Sequence, residues 1–343
     1  MKALLYTKPF ELESVDFPKP EIKENEVLIQ VKACGICGSD VHGYTGTTGR
    51  RIPPVIMGHE ASGVIIEKGL KVDKWQLGDH VTFDSTISCG SCYFCERNQI
   101  NLCSNRKVLG VSCDEYKQDG AMAEYVAVPQ NILYALPEGL AFEKAALVEP
   151  LSVAVHAINQ TPVKNGDTCV VIGAGMIGMM VIQSLQHFGH KNIISVDMDE
   201  ERLDLALKLG AVAAFNPAKQ NVSEEIFKLT DGLGTDVVFD AVGINATFNM
   251  GIDCLKKGGA ACLIGNYAPK VEMPLQAIVT REISIYGTYI SSGEYPKCLE
   301  MIVGGAIDVD TLISAVVPLS DGAEWFKRLH DKEPGLIKVI LTP

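Results

Sequence analysis

"TCVVIGAGMIGMMVIQSLQHFG", residues 168–189, passes from an apolar β-like run through three glycines directly into an apolar helical pattern. Gly173, Gly175 and Gly178 form G-x-G-x-x-G. In this context Gly173 permits a tight turn, Gly175 lets the backbone approach a pyrophosphate, and Gly178 lets the helix pack on its strand. The helix start, with Met176 and Ile177 in its first turn, offers bare N–H groups and a positive dipole end to phosphate. A second run, "NIISVD", ends in Asp197, nineteen residues after Gly178. An acid there accepts hydrogen bonds from the adenosine ribose. Asp199 fits the N-cap of the next helix, "EERLDLALKLG", which leaves Asp197 for the ribose. Arg202 in that helix joins the expected cofactor contacts. A carboxylate at 197 repels a 2′-phosphate, and Met198 follows rather than a basic side chain, so NAD is favoured over NADP. Strands at 236–243 and 259–265 bring Val242, Gly243, Ile264, Gly265 and, one residue beyond, Asn266 to the strand ends, where the nicotinamide half is expected.

Outward from this unit the pattern changes. After Pro150, helical segments alternate with apolar β runs, the mark of a parallel α/β sheet. Before it, short β runs are divided by Gly and Pro: "VLIQVKA" at 27–33, "ASGVIIEKG" at 61–69, "GDHVTF" at 78–83 and "AEYVAV" at 123–128. Residues 1–150 therefore read as a mostly β domain. With 343 residues, 47% hydrophobic and 21% charged, the chain is long enough for two globular domains. The formal net charge of −12 disfavours nucleic acid and anionic membrane as partners. No apolar stretch has the length of a signal peptide or a membrane span, so a cytoplasmic protein is expected.

Eleven cysteines in a reducing compartment point to metal or buried thiols rather than disulfides. Four of them, Cys89, Cys92, Cys95 and Cys103, lie in "ISCGSCYFCERNQINLC", 87–103. One tight loop can wrap these sulfurs around a tetrahedral Zn²⁺, and four thiolates leave no open position, so such a site is structural. An iron–sulfur cluster is the alternative, weakened by the lack of a following Pro. A second group occupies "ACGICGSDVHGYTGTTGRRIPPVIMGHEASG", 33–63, where Cys37, His59 and Glu60 are ligand types that zinc takes. Glu149 opens "EPLSVAVHA". Each of these residues alone has an ordinary explanation: a buried thiol, a core His, a first-turn acid.

Together, "CGSDVH", "GHEASG", the four-cysteine lobe, "EPLSVAVHA" and "VVIGAGMIG" resemble the zinc-dependent medium-chain dehydrogenases, most closely the sorbitol (polyol) dehydrogenase branch, from end to end. The resemblance implies an α/β protein of two domains. A GroES-like catalytic domain covers 1–150 and is completed by 287–343, a Rossmann domain covers 151–286, and the active site lies in the cleft between them. It implies two Zn²⁺ per chain, the catalytic one on Cys37 and His59, with Glu60 or Glu149 completing the shell directly or through water. Ser39 and His42 resemble the family's proton relay, and in the polyol branch the carboxylate and zinc-bound water are the alternative route. The implied reaction moves hydride from a secondary hydroxyl of a polyol to NAD, giving a ketose, in a homodimer or homotetramer.

One stretch departs from that pattern. Sorbitol dehydrogenases generally carry an Arg after the Rossmann domain, whereas "YGTYISSGEYP", 286–296, has none. A polyol phosphate such as galactitol 1-phosphate, or another vicinal secondary alcohol, is the alternative substrate. Arg50 and Arg51 are either a solvated surface pair or an anion site for that phosphate. A zinc-free quinone reductase would lack the ligand residues. A non-catalytic, zinc-stabilised NAD sensor would leave Cys37, His59 and Glu149 without a purpose.

Overall fold

Six parallel strands grow out of the glycine-rich stretch. Their spatial order is Ala213–Phe215, Asn192–Val196, Thr168–Ile172, Thr235–Asp240, Leu255–Ile264 and Ser284–Thr288. In chain order this is third, second, first, fourth, fifth, sixth, the Rossmann arrangement, whose ligands bind outside the carboxyl ends of the strands. Thr168–Ile172 is central and buried from Cys169 onward, which is why it reads as a continuous apolar run. The computed structural model that shows this describes residues 1–265 and 268–343.

This unit holds Pro150–Glu294 and Gly304–Asp308. The return to the first unit, expected at residue 287, falls inside Ser284–Thr288. That strand is hydrogen-bonded along Leu255–Ile264 through Thr288, so the unit runs on to Glu294.

The other unit holds Met1–Glu149, Tyr295–Val303 and Val309–Pro343. Its seven-stranded sheet is mostly antiparallel and is centred on Glu26–Gly35. Tyr125–Pro129 and Glu60–Lys68 pair with that strand, and the C-terminal strand Lys338–Thr342 pairs with its far end. The register sets Gly35 opposite both Glu60 and Ile340. A Cβ on Gly35 would run into the Glu60 carboxylate, so glycine here is a demand of close approach. Leaving Gly35, the chain turns into the short helix Gly38–Tyr44. Three distant segments thus meet at one end of the sheet: 35–44, 58–60 and 338–340.

Candidate functional site

The corner built by those segments is dominated by buried charge. Asp40 is fully buried in the first turn of helix Gly38–Tyr44. Two guanidinium nitrogens of Arg51 donate to its Oδ1, at 2.7 and 3.1 Å. Its Oδ2 accepts from the Cys37 N–H at 3.4 Å and faces His59 Nδ1 at 3.5 Å. Burial alone would drive this carboxyl up, but His59 and Arg51 outweigh it and hold it well below the usual carboxylate range. Removing Arg51 would leave this buried carboxylate without its permanent counter-charge, at a cost of several kcal/mol. Cys37 caps the helix, its Sγ accepting from the Ser39 N–H at 3.5 Å. Its thiol is thereby aimed by backbone geometry.

Glu60 is fully buried at the start of its strand. Its Oε2 accepts from Lys338 Nζ at 2.6 Å, and Lys338 also donates to the Ile36 carbonyl at 3.0 Å. Burial pushes Lys338 down, but Glu60 and Cys37 overcome this and raise it. Glu60 Oε1 is buried without a hydrogen-bond partner, and so is His59 Nδ1. Ligand atoms of Cys37, His59 and Glu60 lie within 4.8 Å of one another. A thiol, an imidazole and a carboxylate converge this closely, and the carboxylate keeps one oxygen without a partner; the set fits a zinc ion. Glu149 lies outside that tight set, in the first turn of helix Val148–Gln160. Burial, Glu60 and Asp84 push it up to about 7, against the pull of His59 and Lys338. Ser39 is half-buried beside Arg51, with Nη2 to Oγ at 3.5 Å, and His42 is exposed at the far end of the helix.

The expectation for Arg50 and Arg51 needs correction. Arg51 is buried and committed to Asp40, so it is neither a solvated surface charge nor half of an anion site. Arg50 is exposed.

The cysteine lobe is organised differently. It consists of turns, with two short 3-10 segments, Cys95–Arg97 and Ile100–Leu102. Sulfur–sulfur separations are 3.5 Å for Cys92–Cys95, 3.5 Å for Cys89–Cys103 and 4.0 Å for Cys89–Cys95. A tetrahedral zinc with bonds of about 2.3 Å sets its sulfurs about 3.8 Å apart. All four sulfurs lie within 4.8 Å of one another, so the lobe fits that ion. Backbone N–H groups of Cys95 and Ser104 draw Cys92 down to about 6, while burial sends Cys103 up to about 11.

In the nucleotide unit, Gly173 has φ +95° and donates to the Val196 carbonyl at 2.8 Å, the left-handed turn expected there. A Cβ on Gly178 would strike the Gly173 carbonyl, whereas one on Gly175 would meet nothing. Gly175 is the N-cap of helix Met176–His187 and gives it no side-chain cap. Met176 and Ile177 form its first turn and are half-buried. Asp197 Oδ2 accepts from the Ala174 N–H at 2.6 Å, and Oδ1 from the Asp199 N–H at 2.9 Å. It therefore braces the turn, and a carboxylate has acceptor sites beyond these two. Asp199 is the helix cap, accepting from Glu201 and Arg202, and Arg202 lies 3.7 Å from its carboxylate. Val242 and Gly243 donate to the buried Asp240 carboxylate at 2.9 and 3.2 Å. Ile264 ends its strand, Gly265 follows with φ +76°, and Asn266 lies outside the described residues.

Asp40, Lys338 and Asp240 escape a reading by motif. Asp40 stands inside "CGSDVH", and a ligand His commonly gives its second N–H to a carboxylate, so its neighbourhood was a usable signal. The signal for Lys338 is a lone cation within the apolar run "LIKVIL". Asp240 carries none beyond its position at a strand end.

Comparisons with known proteins agree with this architecture. Residues 23–138 match the alcohol dehydrogenase GroES-like domain, and residues 177–304 match the zinc-binding dehydrogenase family. The chain is 33% identical to sorbitol dehydrogenase of Bacillus subtilis, covering 100% of this chain and 97% of that one. It is 35% identical to D-arabitol-phosphate dehydrogenase of Enterococcus avium, covering 95% and 92%. Among solved structures, a protein of Sinorhizobium meliloti 1021 assigned as a zinc-binding dehydrogenase and bound to NADP has a TM-score of 0.91 and 30% identity, covering 100% and 99%. The chain belongs to the zinc-dependent alcohol and polyol dehydrogenase family, in its polyol branch. It is an oxidoreductase of a family that binds zinc and a nicotinamide cofactor. No helix among the described residues is long and apolar enough to cross a membrane.

Proposed function

We propose that this chain oxidises a secondary hydroxyl flanked by another hydroxyl, passing hydride to NAD and giving a ketose. The observation that carries this reading is the corner where Cys37, His59 and Glu60 converge, with one Glu60 oxygen unpartnered and Glu149 as a second acid. Zinc held by Cys37 and His59, with Glu60 or Glu149, would supply Lewis-acid activation of the hydroxyl, and NAD the hydride acceptor. Asp40 fixes the orientation of His59, and Arg51 keeps Asp40 ionised. Two carboxylates offer acceptors to a neighbouring hydroxyl, which a simple alcohol lacks. Ser39 and His42 pass the released proton outward, ending at the exposed imidazole of His42. Gly173, Gly175, Met176, Ile177 and Gly178 cradle the pyrophosphate, and Asp197 and Arg202 line the adenosine side. Val242, Gly243, Ile264 and Gly265 line the nicotinamide side, and Cys89, Cys92, Cys95 and Cys103 hold the structural zinc.

NAD-linked turnover of hexitols and pentitols against matched primary alcohols tests this. A site built to pair with hydroxyls should favour polyols by up to about 10⁴-fold in kcat/KM. Efficient use of long primary alcohols with no polyol turnover would contradict it. A phosphorylated polyol is the second reading, favoured by the likeness to the Enterococcus protein. Arg50, rather than Arg51, would then meet the phosphate. Arg50→Ala should weaken a polyol phosphate and leave a neutral polyol unchanged.

A further inference from the structure

Lys338 is a long cation in an apolar strand, 302 positions from the carbonyl it binds. A fully buried ammonium persists only where partners neutralise it. Here one partner is Glu60 Oε2 and the other is the carbonyl of Ile36, the residue before Cys37. The Ile36 N–H donates in turn to the Val339 carbonyl at 2.9 Å. The C-terminal strand therefore grips the segment carrying Cys37 and the side chain of Glu60 at the same time. It leaves Glu60 with one engaged oxygen and one orphaned oxygen.

We infer that Lys338 is a positioning residue that makes Glu60 a one-oxygen, exchangeable ligand of the catalytic metal. The inference rests on the reading of Cys37, His59 and Glu60 as a zinc corner. A carboxylate with both oxygens free can close on a cation with two bonds and fill the position a substrate hydroxyl needs. Lys338 prevents this by occupying Oε2, and its charge drains donor strength from Oε1. This is the opposite sign to a carboxylate behind a histidine, which strengthens its ligand. Without the ammonium, the buried carboxylate would have the metal as its nearest cation, and Glu60 would turn from an exchangeable ligand into a standing one.

The test uses the full chain, zinc-loaded and with cobalt(II) at the catalytic position. Lys338→Met should slow transfer of the catalytic metal to EDTA about tenfold. It should weaken the visible cobalt band, as an added ligand does, and raise KM more than it lowers kcat. Lys338→Arg should stay within about twofold of the wild type, and Lys338→Met with Glu60→Gln should release metal as fast as Glu60→Gln alone. Lys338→Met that releases metal at the wild-type rate or faster, with an unchanged cobalt band, overturns the inference and leaves Lys338 a packing cation. Should Lys338→Met fail to fold, Glu60→Gln decides. Faster release with a shifted cobalt band supports the inference, and no change in either overturns it. A wild-type protein that binds metal only at the cysteine lobe defeats the zinc-corner reading itself, a different result from either.

Discussion

The cysteine lobe and the Cys37–His59–Glu60 corner both gather ligands suited to zinc, yet they are built on opposite principles. The lobe takes four thiols from fifteen consecutive residues, folds them in turns, and leaves Cys89 exposed. Its geometry is local, set by turns and two short 3-10 segments. The corner draws on three segments spread over the whole chain and lies in the sheet's end, where Asp40, Glu60 and Lys338 are buried. Its ligands are braced by two buried ion pairs, Asp40–Arg51 and Glu60–Lys338. A closed set of identical ligands suits a site that must only hold. A mixed set kept in place by the protein suits one that must keep its shape while substrate comes and goes.

That contrast can be broken by substitution. The largest effect on folding is expected at the lobe, because structural zinc binding is itself folding free energy. Cys92→Ser should lower Tm by roughly 5–10 °C, measured by calorimetry of the zinc-loaded protein. The largest effect on turnover is expected at the corner. His59→Ala removes a ligand of the Lewis acid, worth several kcal/mol, and should cut kcat/KM on the order of 10³-fold while moving Tm little. Equal Tm losses in the two variants would erase the distinction.

A smaller step sharpens it. Asp40→Asn keeps the shape but removes the charge behind His59, and should weaken the catalytic metal by about 10–100-fold without loosening the lobe's metal. Competition with a graded chelator measures this, and parallel weakening of both metals would contradict it. Smallest is the cofactor effect. Asp197→Ala should narrow the preference for NAD over NADP by roughly tenfold in kcat/KM, from lost repulsion of a 2′-phosphate. A wild type equally efficient with NADP would remove the premise, and the NADP-bound relative makes that comparison informative.

The same contrast explains what was legible in the sequence. The lobe and the glycine turn are local, so spacing alone carries them: residues 89–103 and 173–178 each specify one loop. The Rossmann strand order follows from alternating helices and strands and the handedness of their connections. The corner is non-local. Nothing near Glu60 announces Lys338, since their meeting is fixed by the register of two strands on Glu26–Gly35. Arg51 departs from its sequence expectation for a related reason. Adjacent arginines in a polar loop look solvated, and only the fold reveals that one of them enters the interior to meet Asp40. The nucleotide unit extends past residue 286, and nothing in "YGTYIS" separates a sixth sheet strand from a return segment.

Zinc per chain, determined by elemental analysis on fully loaded wild type, Cys92→Ser and His59→Ala, tests the division of labour most directly. The account predicts two, one and one, with Cys92→Ser keeping the corner's metal and His59→Ala keeping the lobe's. A single zinc in fully active wild type, or two retained in either variant, would contradict it.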